Sequence, residues 1–234
     1  MAGTRSSPLR RWISALLPSA REPEVATARF LDKEALAQPA VALDLVAREQ
    51  LAVTQGLAQY LDDIREDTRA QATASAGEQH RNTQAVLRQI RQFTSTLAVR
   101  AESEKINQQV SQLEERTELL AMLSDSIREL VDSMRYFMAS SALATLTAGI
   151  AEGLHVVLLS TIDAMESPDQ ANLEVLHHLT ADRSRLMEGI RRSLLRGEQT
   201  LTIEEHQALF TSTRLFARVI LLLRILQTGL APRG

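Results

Sequence analysis

Ten positions between Ile106 and Met138 step by fours and threes without a miss: Ile106, Val110, Leu113, Thr117, Leu120, Ser124, Ile127, Val131, Met134 and Met138. This is a 3.5-residue period. It marks a long helix packed at a shallow angle against neighbours in a bundle or coiled coil. Thr117 and Ser124 are polar intrusions, and their hydroxyls are expected to bond the backbone one turn back. The rest of the 234-residue chain agrees with helix. Only 9 Gly and 6 Pro leave little room for the turns of an all-β fold, and aromatic residues make up 3 %. Ala, Leu, Arg, Glu and Gln dominate, and all favour helix. The predicted fold class is all-α.

Other segments show the same kind of face. "FLDKEALAQPAVALDLVAREQ" (30–50) starts like a helix and then carries Pro39. Proline suits the first helical position, where its missing amide has no partner anyway. Asp32 is therefore expected to cap a short turn through Leu36, and Pro39 to open a long helix running to about Ala70. Its apolar side reads Ala42, Val46, Val53, Leu57, Leu61 and Ile64. "TASAG" (73–77) is read as its break, before a second helix with Leu87, Ile90, Phe93 and Leu97 inward. After the third helix and "MASSA", a fourth carries Leu143, Leu146, Ile150, Leu154, Val157 and Thr161. "ESPD" (166–169) ends it, and Pro168 is read as opening a fifth helix with Leu179, Leu186, Ile190 and Leu194 on one side. Thr202 and Glu205 form a capping box for a sixth, with Leu209, Phe216, Val219, Leu223 and Leu226 inward. Six helices predict two consecutive antiparallel three-helix bundles, 31–138 and 139–234, behind an arm at 1–30.

With no cysteine, the chain has no disulfide, thiolate metal site or Cys nucleophile. The formal net charge of −3 argues against nucleic acid as a partner. The charge is uneven. Residues 1–31 hold Arg5, Arg10, Arg11, Arg21 and Arg29 against Glu22 and Glu24, a balance of +3. The remainder, 21 basic against 27 acidic residues, carries −6. No run approaches the ~20 apolar residues of a membrane span; the best, "VILLLRIL" (219–226), is short, contains Arg224 and reads as a core helix. The N-terminal apolar stretch, Trp12 to Leu17, is too brief for a signal peptide.

The corner around Pro39 resembles the start of the PhoU-like cytoplasmic domain of bacterial sodium/phosphate cotransporter family proteins. Leu31, Asp32, Pro39, Ala40, Ala42, Leu43, Ala47, Arg48 and Glu49 carry the likeness. Helix order extends it over most of residues 30–228, and "LLPSAREPEVATARFLD" looks like the linker that leaves the last membrane helix of such transporters. The resemblance implies a regulatory or accessory role in sodium-dependent phosphate transport, at the cytoplasmic face of the membrane, with the transporter's membrane domain or other helices as partner. PhoU proteins carry acid-x-x-x-Asp pairs on their third and sixth helices. Here Asp125 matches, but Ala121, Ala217 and Leu221 replace the other three acids, so a multinuclear metal cluster is not expected.

The remaining polar constellations are weaker. Asp125 and Glu129, one turn apart with Asp132 beyond, are the candidates for a single weak cation site; a solvated helix edge explains them as well. Glu49 shares a stripe with Val46 and Val53, so it must bond something, an arginine of a neighbouring helix being the expected partner. Glu174, His178 and Asp182 form a row at fours that should face water. His80, His155, His177 and His206 have no ligand-spaced partners. Neither a phosphate loop nor a nucleophile elbow occurs, and the two lysines, Lys33 and Lys105, further weaken a catalytic reading. The expectation is no enzyme and no cofactor. Alternatives are a metal-binding PhoU-like phosphate-signalling protein and a purely structural helical protein; self-association is left open. In the arm, Trp12 sits among Arg10, Arg11, Ile13, Leu16 and Leu17 in an amphipathic stretch, Leu9 to Leu17. That mixture suits an anionic membrane surface.

Overall fold

A computed structural model describes residues 26–66, 71–137, 141–181 and 202–231, with side chains outside 63–76 and 135–146. A 3-10 turn, Glu34–Ala37, precedes α1 (Pro39–Glu66), α2 (Gln71–Arg100), α3 (Glu104–Phe137), α4 (Ser141–Glu166), α5 (Gln170–Ala181) and α6 (Ile203–Leu230). The described residues contain no strand. The Pro39 corner forms as its chemistry requires. Asp32 Oδ1 accepts the Glu34 amide at 2.9 Å, and the Gln38 carbonyl accepts the amides of Val41 and Ala42. Pro39 takes the first helical position, where no amide is needed.

The long seam is buried as its period demands. Val110, Leu113, Leu120, Ile127, Val131 and Met134 lie in the core with Thr117 and Ser124, and Ile106 packs against it; Met138 lies outside the described residues. Thr117 Oγ1 donates to the Leu113 carbonyl one turn back at 2.7 Å. Ser124 behaves differently, pairing across the bundle with His80. At the start of α6, Thr202 Oγ1 accepts the Glu205 amide while Glu205 Oε2 accepts the Thr202 amide, a complete capping box.

Three local readings are corrected. "TASAG" does not break a helix; it lies within α2, where Ala74 and Ala76 favour helix against a cost of about 1 kcal/mol for Gly77. Pro168 is not the first residue of α5. Asp169 caps it instead, its Oδ1 accepting the Asn172 amide at 2.8 Å. Finally, α5 is rotated from the predicted register: Leu176 and Thr180 are buried while Leu179 is 38 % exposed. Thr180 reads as polar in sequence, but its hydroxyl is satisfied by the Leu176 carbonyl at 2.8 Å, so it can enter the core. Leu186, Ile190 and Leu194 fall outside the described residues.

Contacts between helices follow a repeating plan. α1, α2 and α3 touch one another, as do α4, α5 and α6; α1 packs along α4, and α3 packs most extensively along α6. Exchanging each helix with the one three places on maps these pairs onto one another; the smaller α3–α4 contact stands outside that plan. The cross-pairs are antiparallel. Thr54 and Gln55 of α1 meet Met165 and Glu166 at the end of α4, whereas Asp62 lies 3.9 Å from His155. Ser133 of α3 meets Ser212 of α6 at 2.8 Å, and Glu129 lies 4.0 Å from Arg218. One continuous apolar cluster draws on all six helices. α4 contains the one stretch among the described residues, Thr147–Glu166, long and apolar enough to cross a membrane. Its Leu154, Leu158 and Ala164 are fully buried in this core. The segment 219–226 contributes Val219, Ile220, Leu222, Leu223 and Leu226 to the same core.

Candidate functional site

Two polar features stand out on this scaffold. The first is a strap, residues 26–31, laid across α2 and α1. Gln89 clamps it twice: its Nε2 donates to the Ala26 carbonyl at 2.8 Å and its Oε1 accepts the Ala28 amide at 3.0 Å. Two residues on, the Phe30 amide donates to Glu49 Oε2 at 2.7 Å. Side chains of α2 and α1 thus bond the backbone of residues 26, 28 and 30, alternate positions along the strap. Glu49 is 2 % exposed, and its bond is charge-assisted. The expected partner, an arginine, is replaced by a backbone amide, which satisfies a buried carboxylate without burying a second charge.

The second feature is the acidic edge of α3. Asp125 accepts from Gln84 Nε2 at 3.0 Å and lies 3.5 Å from His80 Nε2, both on α2. Glu129 turns the other way, to Arg218 of α6. Asp132 pairs with Arg128 at 3.1 Å on its own helix. Each carboxylate addresses a different partner, and all three are exposed. Ala121 is buried, and Leu221 is 44 % exposed. Among the described residues no three His, Cys, Asp or Glu side chains come together as metal ligands. Elemental analysis of protein purified without chelator should give well under one equivalent of iron, zinc, nickel or manganese. Two or more equivalents would contradict this geometry.

His80 is a further member of that edge. Burial pushes its pKa below the ordinary 6.5, opposed chiefly by the nearby Asp125 carboxylate. The fold thus favours the neutral ring, with Nδ1 placed 3.2 Å from the Ser124 hydroxyl. A lowered histidine value contributes stability that is complete above 6.5 and falls away as pH drops through the lowered value. The Tm should therefore fall from about pH 7.5 to about pH 5.5, and fall less in His80→Gln. An equal fall in both proteins would remove His80 from the effect.

Other expected residues are placed as follows. Glu174 and His178 are exposed on α5, Glu174 accepting from Gln170 at 2.8 Å; Asp182 lies outside the described residues. So do Arg10, Arg11, Trp12, Ile13, Leu16 and Leu17. Sequence reasoning missed Gln89, which has no distinguishing pattern. It also missed Gln50, fully buried and donating to the Leu113 carbonyl at 2.7 Å and to Thr117 Oγ1 at 2.8 Å. The signal was available, since Gln50 and Glu49 both sit beside the apolar stripe of α1. No protein-family model matches the chain, and comparison with curated proteins and with solved structures returned no significant match.

Proposed function

We propose that this chain is a PhoU-like, non-enzymatic regulatory domain of sodium-dependent phosphate transport, acting at the cytoplasmic membrane face. In this reading the six helices are two consecutive antiparallel three-helix bundles, and the strap links them to a basic arm that approaches the membrane. The observation that carries it is the corner from Leu31 to Glu49. There the resembling residues have defined work: Asp32 caps, Pro39 opens α1, and Glu49 holds the Phe30 amide. The period-three contact plan supports the same reading, as internally duplicated bundles would produce it. Regulation would act through helix surfaces, by binding a membrane-domain partner rather than by chemistry on phosphate.

The test is copurification in mild detergent with the membrane domain of a sodium/phosphate cotransporter encoded in the same genome. A stable complex with the full chain is the expected outcome. Retention no greater than that of an unrelated helical bundle would overturn the partner assignment.

A further inference from the structure

α3 and α6, the most extensively packed pair of helices, carry their exposed stripes side by side. The outward stripe of α3 reads Glu115, Glu118, Met122, Asp125, Glu129 and Asp132, all exposed. That of α6 reads Phe210, Arg214, Arg218, Leu221, Arg224 and Ile225, again all exposed. Glu129 and Arg218, 4.0 Å apart with both side chains 47 % exposed, join the stripes at the surface. The two stripes therefore form one face.

Its halves carry opposite charge. Of the five carboxylates on α3, Glu118 is met by Arg91 and Asp132 by Arg128, which leaves an acidic surplus at Glu115, Asp125 and Glu129. Lys105 and Arg135 stand off this stripe by their spacing. From His206 onward α6 has three arginines and no acid, and Arg214 and Arg224 form no ion pair among the described residues. The stretch leading into α6, residues 182–201, adds five arginines against three acids, so it does not reverse the basic balance. Between the charges, Met122, Leu221, Ile225 and Phe210 leave apolar surface in water, the composition of an interaction site.

We propose that the joint outer face of α3 and α6 is a homodimer interface, on which a second copy of this chain docks with its α3 over α6 and its α6 over α3. This goes beyond the phosphate-transport reading and does not depend on it. The two helices run antiparallel, with Glu129 level with Arg218 and Ser133 level with Ser212. A two-fold axis parallel to them keeps those levels and makes the face its own complement. Glu129 of either copy then faces Arg218 of the other, Asp132 faces Arg214, and Met122 comes opposite Ile225. An in-plane axis across the helices would lay α3 on α3, acid on acid, and repulsion rejects it. Two helices about 10 Å apart, overlapping for roughly 30 Å, offer on the order of 600 Å² per partner, the lower end of a specific interface. The dimer is accordingly reversible and sensitive to salt.

The test is sedimentation velocity of the full-length chain as concentration and salt are varied. At low salt the mass should rise from 25.9 kDa toward twice that value with concentration, and it should fall back as salt reaches about 0.5 M. Glu129→Lys/Asp132→Lys sets lysines where the second copy brings Arg218 and Arg214. Arg214→Glu/Arg218→Glu sets acid against acid at the same seats. Each variant alone should dimerise at least about tenfold more weakly, with unchanged helix content by circular dichroism. Mixed in equal amounts, the two should form a heterodimer, because each offers the other the opposite charge at both seats. A misfolded variant could not give that rescue. A native chain monomeric at every concentration would overturn the proposal, leaving this face to residues 182–201 or to another protein. Unchanged dimers in both variants would overturn it as well, by placing self-association on another surface. Two weakened variants that fail to pair when mixed would exclude the α3-over-α6 arrangement.

Discussion

Ile127→Ala should lower the stability of the protein by about 2–5 kcal/mol. Ile127 is fully buried within the 3.5-residue seam of α3, the helix that makes the most extensive cross-pair with α6. Truncation removes its transfer free energy and leaves a cavity that the surrounding helices fill only in part. Against a total of roughly 5–15 kcal/mol for a domain, that is a large fraction. The urea midpoint should fall with little change in slope, since the surface exposed on unfolding is nearly the same. Met122, five residues earlier and 43 % exposed, supplies the control: Met122→Ala should stay within about 0.5 kcal/mol. Similar losses at both positions would mean that the seam does not face the core.

Glu49→Ala has the second large expected effect, about 1–3 kcal/mol, because it leaves the Phe30 amide without its carboxylate. The more specific consequence is local. The peptide bond between Arg29 and Phe30 is the one whose amide Glu49 holds, and Arg29 is exposed. Trypsin should cut there much faster in Glu49→Ala than in the native chain, before the helices are attacked. Glu49→Gln keeps an acceptor oxygen and should be intermediate. Equal cleavage in all three proteins would show that Glu49 does not fasten the strap.

These two sites also mark what was legible in the sequence. The α3 seam was readable because burial follows a simple period and no residue interrupts it except Thr117 and Ser124, small enough to satisfy their hydroxyls locally or across one contact. The Pro39 corner was readable because proline and an aspartate cap have narrow backbone preferences. Glu49 could be flagged as a buried acid, but not given its partner, because that partner is a backbone amide brought up by the strap. Gln89 gave no signal, since a half-buried glutamine on a helix flank resembles any other. The α5 register was misread because Thr180 hides its hydroxyl in its own helix, while Leu179 faces outward. The candidate acids of α3 stand one turn apart in sequence, but their divergence toward α2, α6 and Arg128 depends on neighbours that spacing alone does not reveal.

The central claim is that this chain regulates sodium-dependent phosphate transport without chemistry of its own. It is tested most directly by radiolabelled phosphate uptake in the cells that encode it, with the gene deleted and then restored. The account predicts that sodium-dependent uptake changes on deletion and returns with the full chain, while sodium-independent uptake stays the same. Identical sodium-dependent uptake with and without the chain, in both phosphate-replete and phosphate-starved cells, would contradict it.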